Sequence, residues 1–286
     1  MTSTHTLDQP GDPGAKPDRV LLFIPMYNCA PQIPRVIAQL TPEVRSLLAE
    51  VIVVNNRSTD DGEAAAIQAL GALNDLPAKV LRNDDNYGLG GSHKVAFDYA
   101  LANGFDHLIV LHGDDQGSIA DVAPLLRAGA HRDLDCLLGA RFAPGSKLAG
   151  YSPLRTFGNH VFNALYSIVS GKRIHDLGSG LNVYRVAALA DRTYLRHAND
   201  LTFNYHMILH SIAAGHRIRF FPLEWREDDQ VSNVKLVRQA MRVLMIPLTY
   251  AFRRRSYLTT DHSGRDSDVY TSTPVFDTRN AEASAT

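Results

Sequence analysis

The chain has 286 residues, 45% of them hydrophobic, enough to bury the core of one large domain without obliging it to divide. Lys and Arg number 29 against 30 Asp and Glu, a formal net charge of −1, so no global positive field marks a nucleic-acid partner. Two cysteines, Cys29 and Cys136, exclude a disulfide framework or a thiolate zinc site and suit a reducing compartment, with the cytosol as default.

Residues 1–19, MTSTHTLDQPGDPGAKPDR, lack the apolar segment of a signal peptide and read as a disordered lead. VLLFIPMYN and VIVVNN are continuous apolar runs ended by polar residues, as expected of strands covered on both faces. Between them PRVIAQLTPEVRSLLAE reads as helical. The alternation continues with the helical DDGEAAAIQALGAL, the strand AKVLRN, the helical GSHKVAFDYALANG stopped at Gly104, and the strand FDHLIVLHGDD. This order predicts an α/β fold with a mainly parallel central sheet flanked by helices. In such sheets ligands bind beyond the carboxyl ends of the strands, where Tyr27 and Asn28, Asn55 to Asp60, and His112 to Gln116 converge.

After residue 139, Leu154, Phe157, Val161, Leu165 and Ile168 mark one apolar helical face. A second stripe, Val234, Val237, Met241, Leu244 and Leu248, is accompanied by Lys235, Arg238 and Arg242 and closed by Arg253, Arg254 and Arg255. Two readings fit it: an amphipathic helix lying on an anionic membrane surface, or a helix packed on the sheet with a solvated basic face. The apolar run VLMIPLTYAF is half the roughly 20 residues a spanning helix needs, and Pro247 interrupts it. The expected organisation is therefore a lead over 1–19, the main domain over 20–230, a basic amphipathic helix over 231–255 and a flexible tail over 256–286.

The segment LHGDDQ carries the chemistry. With a period of two, His112, Asp114 and Gln116 could present an imidazole, a carboxylate and an amide oxygen to one divalent ion, or form the polar turn that follows any buried strand. As a metal site, His112 shifts the expected ion from Mg²⁺ toward Mn²⁺.

Four stretches in order, IPMYN, VIVVNNRSTDDG, NYGLGGSHKVAFDYA and LHGDDQ, resemble the nucleotide-sugar-dependent glycosyltransferases of family 2, with the GT-A fold. Downstream, GARF, DLGSGLNVYR and PLEWREDDQVSNVK resemble the branch that makes polyprenyl-phosphate sugars, the dolichyl-phosphate mannose synthase type. The resemblance implies Asp114 as principal metal ligand (Mn²⁺ or Mg²⁺), Gln116 helping, and His112, standing where the family usually has Asp, as a ligand or a donor beside one. It implies a nucleotide-sugar site around Pro25, Tyr27, Asn28, Asn55, Asn56, Asp60, Gly88, Lys94 and Gly113. Arg141, in GAR, matches a Gly-Ser-Arg of the family and is expected on phosphate, together with Arg155. Asp176, in DLGSG, matches an acidic active-site position. Asn204 and His206 stand where acids are common.

Asn55 and Asn56 also depart from the family's acids, and an amide can match the N3–H and carbonyl of uracil, which favours uridine or thymidine diphosphate sugars over guanosine ones; both residues equally suit a turn. A phosphate acceptor is already ionised near neutral pH, whereas a sugar hydroxyl needs a general base, for which Asp176 is the candidate. The implied activity is an inverting transfer to a polyprenyl phosphate by a cytoplasmic enzyme peripheral on the inner face of an anionic membrane. The alternatives are transfer to a hydroxyl acceptor and a non-catalytic nucleotide-sugar-binding protein.

Overall fold

The structure, a computed structural model, describes residues 18–227 and 236–283. The first strands are β1 (Val20–Met26), β2 (Glu50–Asn55), β3 (Ala78–Asn83) and β4 (His107–Leu111), all parallel in the order β3-β2-β1-β4. Their β-branched and aromatic residues alternate between two layers. Phe23, Ile52 and Val54 pack under the helix Gly88–Ala102, and Ile24, Val51 and Val53 under the helices Ile33–Ala38 and Gly62–Gly71. Truncating one such ring, Phe23→Ala, would cost about 3–5 kcal/mol. The helical stretch expected between β1 and β2 is split into Ile33–Ala38 and Pro42–Arg45, because Pro42 starts a new helix whose first turn is capped by Thr41 Oγ1 accepting from the Val44 amide.

Beyond β4 the sheet becomes mixed. The strands β5 (Cys136–Ala140), β6 (Lys147–Ala149), β7 (Leu181–Arg185), β8 (Ile218–Pro222) and β9 (Glu224–Arg226) follow in sequence. In the sheet β7 inserts antiparallel between β4 and β5, β8 pairs parallel with β5, and β6 and β9 form a separate parallel pair. Running against its neighbours, β7 brings the segment before it, residues 176–180, to the edge where β4 and β5 end.

Residues 256–283, expected as a flexible tail, fold onto the domain instead. A helix, Arg254–Thr259, leads to β10 (Ser272–Asp277), which pairs antiparallel with β3 and covers the sheet edge. Tyr257 and Tyr270 are buried. The Tyr257 hydroxyl lies 2.6 Å from His206 Nδ1, and the Tyr270 hydroxyl accepts from Lys94 at 3.0 Å. Backbone pairing, with a register shift beside Pro274, makes this strand, so no hydrophobic period announces it.

The helices Pro153–Ser170 and Leu236–Phe252 lie together, the Tyr166 hydroxyl donating to the Val243 carbonyl at 2.8 Å. Val243, Ile246 and Tyr250 turn inward, while Leu154, Phe157, Val161, Ile168, Met241, Met245 and Phe252 are exposed. Of the expected second stripe, Leu244 and Leu248 are half-buried; Val234 and Lys235, like the side chains of Val237 and Arg238, lie outside the described residues. Among the described residues no helix is long and apolar enough to cross a membrane.

Candidate functional site

β1 and β4 lie side by side and parallel, the chain passing from β1 to β2 on one flank and from β4 toward β5 on the other, and a crevice opens at their carboxyl ends. There a cavity of about 320 Å³ is lined by Pro25, Tyr27, Asn56, Gly88, His112, Gly113 and Asp114, with Met26, Cys29, Asn86, Leu89, Ser92 and Leu201 completing the wall.

His112 is fixed by the register. Leu111 pairs with Leu181, so the next residue meets Gly180, whose carbonyl accepts the His112 amide at 2.9 Å. A Cβ on Gly180 would lie 2.7 Å from the imidazole Cγ, so only a glycine lets the ring pack there. The residue is half-buried, but Nε2 is enclosed without a hydrogen-bond partner, and desolvation holds the pKa down to about 4. A neutral imidazole with an uncommitted nitrogen is a competent metal ligand. Asp114 lies on the same wall; burial pushes its carboxyl up to about 6, and the Gln116 amide donates to Oδ1 at 3.3 Å. A carboxylate whose pKa burial raises, on the same cavity wall as a neutral imidazole, suits a divalent cation, so His112 and Asp114 fit such an ion. Gln116 is not on the cavity wall and supports Asp114 through its backbone.

Arg141 follows β5 and Asp176 precedes β7, so the antiparallel pairing brings them together. Asp176 accepts from Arg141 N, Nε and Nη2, each at 2.8 Å, and from the Gly178 amide at 3.0 Å. Burial alone would raise its pKa, but the guanidinium beside it holds the carboxyl below the usual range. Asp176 is thus not a proton acceptor as expected; its lone pairs are spent aiming Arg141. The guanidinium is also enclosed by Phe142, Tyr151 and Trp225, 5.1–5.8 Å from the ring centres.

Residues 22–193 match the model of glycosyl transferase family 2. The chain belongs to that family. An undecaprenyl-phosphate mannosyltransferase of Micrococcus luteus is 28% identical over 172 residues, 60% of this chain and 68% of that protein. A polyprenol monophosphomannose synthase of Mycolicibacterium smegmatis is 25% identical over 170 residues, 58% of this chain and 62% of that protein. These relatives support the resemblance to the polyprenyl-phosphate mannose synthase branch. A glucosyl-3-phosphoglycerate synthase from Mycobacterium tuberculosis, solved with Mn²⁺, UDP and phosphoglyceric acid, shares the fold with TM-score 0.60 at 15% identity, over 91% of this chain and 89% of that one. A mannosyl-3-phosphoglycerate synthase from Rubrobacter xylanophilus has TM-score 0.58 at 14% identity, over 88% and 78%. The family's GT-A architecture is therefore present here.

Against the family pattern, several expected donor-site residues prove to be scaffold. Lys94 is fully buried away from the cavity, its ammonium donating to the carbonyls of Leu195 and His197, to Asn199 and to Tyr270 at 2.6–3.0 Å. Asn55 is turned to Glu63 and the Ser58 amide. Asn56 lines the cavity, but its amide is spent on Asn83, Asn86 and Tyr87, which removes the basis for assigning it the uracil edge. Asn28, in a left-handed conformation, accepts from Thr59, and Asp60 accepts from the Ala30 and Gly62 amides; both fasten the crevice rim. Arg155 pairs with Glu227 at 2.6 Å and stacks on Tyr151, which also contacts Arg141.

Sequence reasoning passed over Asp115, whose left-handed backbone turns it out of the crevice onto Arg35 at 2.7 Å and Gln39 at 3.0 Å. It also passed over Asn83 and Asn86, the partners of Asn56, and Gly180. The stretch NDDN, whose last residue Asn86 opens NYGLGG, was the available signal for the network, but Gly180 becomes meaningful only through the register of β7.

Proposed function

We propose that this family 2 glycosyltransferase moves a sugar from a nucleotide-diphosphate sugar to a polyprenyl phosphate at an anionic membrane surface. The observation that carries the reading is the shortage of a base. Among the described residues lining the cavity Asp114 is the one carboxylate, and Asp176 is consumed by Arg141. His112, with a pKa near 4, is a poor proton acceptor for a sugar hydroxyl. An acceptor that arrives ionised needs positioning instead, which an Arg141 held rigid by Asp176 and three rings can give. The names of the M. luteus and M. smegmatis relatives support a lipid-phosphate acceptor and a mannosyl group.

His112 and Asp114 would hold Mn²⁺ or Mg²⁺, which when bound supplies neutralisation of the diphosphate leaving group. The M. tuberculosis synthase of the same fold, solved with Mn²⁺ and UDP, supports such an ion together with a nucleoside diphosphate. Tyr27 and the Gly88 turn form the wall available to the nucleoside, and the closed amide network of Asn56 keeps that wall rigid. The exposed side chains Leu154, Phe157, Ile168, Met245 and Phe252, next to the exposed Arg253, Arg254 and Arg255, suit shallow insertion among anionic headgroups. This keeps the enzyme peripheral, on the face where nucleotide sugars are made.

The test is transfer from a panel of uridine, thymidine and guanosine diphosphate sugars, with Mn²⁺ or Mg²⁺, to a short polyprenyl phosphate and to a sugar with free hydroxyls. The expected product is an alkali-stable lipid-phosphate sugar from one donor. Transfer to the hydroxyl acceptor alone would refute the acceptor assignment.

A further inference from the structure

At the opposite end of β4 from His112 lies a second group of ligating side chains. His107 opens the strand, so the two histidines are five residues apart, roughly 17 Å at about 3.3 Å per residue. Asp18 precedes β1, which pairs with β4 through Val20 and His107. His131 comes from the turn after the helix Ala123–Arg127. One ligand atom from each of Asp18, His107 and His131 lies within 4.8 Å of the others.

Packing alone leaves this group unexplained. His107 and His131 are 5% and 4% exposed, with ring centres 4.5 Å apart and planes at 80°. Neither nitrogen of His107 has a hydrogen-bond partner, and His131 Nδ1 also lacks one. A buried ring with two unmatched polar atoms costs stability unless something supplies a partner. His131 Nε2 lies 3.2 Å from Asp18 Oδ2, close to the edge of about 3.3 Å between ligands in a tetrahedral zinc site. Arg132 Nε donates to the same carboxylate oxygen at 2.8 Å, fixing Asp18 in place.

We propose that Asp18, His107 and His131 form a structural site for a first-row divalent ion of the zinc type, distinct from the candidate active site. Two imidazoles and one carboxylate favour Zn²⁺ or Co²⁺ over Mg²⁺, and a water would complete four-coordination. The ion would tie the start of β1, the start of β4 and the 129–134 turn at the sheet edge remote from the crevice.

The experiment uses the full chain stripped by chelator, in an Asp114→Ala background so that the crevice does not compete, titrated with Co²⁺ or Zn²⁺ alone. Expected are one equivalent bound, a visible Co²⁺ absorption of tetrahedral type and a raised melting temperature with Zn²⁺. His107→Phe, which keeps a ring in place, and Asp18→Asn should each weaken binding at least about 10- to 100-fold, the loss seen when merely a group supporting a ligand is removed. If His107→Phe does not fold, Asp18→Asn at the sheet margin decides the matter. No binding in the Asp114→Ala protein, or binding unchanged in Asp18→Asn, overturns the proposal.

Discussion

Asp114, half-buried, and Asp176, buried, both feel Arg141, yet their surroundings separate them. Asp114 gains too little from its neighbours to offset burial and its pKa rises, whereas Asp176 takes four hydrogen bonds, three from Arg141, and its pKa falls. A divalent ion would restore the balance at Asp114. Asp114→Ala should therefore lose divalent-dependent turnover by about 1,000-fold while far-UV circular dichroism is unchanged, the ion's charge stabilisation amounting to several kcal/mol. Full activity in excess chelator would contradict this. Gly180 provides a subtler probe. Gly180→Ala places a methyl against the His112 ring, and displacement of about 1 Å should reduce kcat about 100-fold. Gly178→Ala, with no atom within 4 Å of the new Cβ, is the matched control and should remain close to wild type. Equal effects in steady-state assays of the two variants would dismiss the packing argument.

Among the elements, the helix Gly88–Ala102 is bound to the rest of the fold by Lys94. Its amine serves segment 195–199 and Tyr270 together, so it locks the returning C-terminal chain to the sheet. Lys94→Met should cost about 3 kcal/mol by orphaning the buried carbonyls of Leu195 and His197, measured as a lowered urea midpoint; unchanged stability would show that water replaces the amine. The helix pair Pro153–Ser170 and Leu236–Phe252 makes the opposite kind of contact, keeping exposed what amphipathic packing normally buries. Arg242 is paired with Asp200, so the basic contribution to a membrane comes from Arg253, Arg254 and Arg255, each worth about 1 kcal/mol near an anionic surface. Co-sedimentation with anionic vesicles should fall with salt and drop about 100-fold when all three are changed to Glu. Binding indifferent to lipid charge and to these changes would leave the pair as ordinary surface helices.

Across the whole molecule, buried neutral histidines set the response to acid. Burial holds His93 and His206 near pKa 3 and drives His197 well below its ordinary value. Unfolding frees each ring to take a proton near pH 6.5, so their contribution is complete above that value and is lost as pH falls toward the folded pKa. At pH 5.5 the three rings together should have removed about 4 kcal/mol, at about 1.4 kcal/mol each. Urea denaturation at pH 7.5 and 5.5 measures this, and equal midpoints would mean that the rings are protonated in the fold.

The sequence by itself determined the parallel half of the sheet, because continuous apolar runs ended by polar residues need both faces covered whatever else the chain does. It also placed Tyr27, Asn56 and the His112–Asp114 turn at one crevice, since parallel strands share their carboxyl edge. Tertiary structure alone decided which polar residues face that crevice. Lys94, Asn55 and Asp60 carry the chemistry a nucleotide-sugar site would use, but their hydrogen-bond partners come from distant or turned-back segments, and no spacing reveals those partners. The pairing of Asp176 with Arg141 and of Gly180 with His112 likewise follows from β7 running antiparallel between β4 and β5, a choice of neighbours rather than of residues. The strand β10 was hidden for the same reason: an edge strand is held by the backbone of its partner, and the side chains of STPVFD carry no period that specifies it.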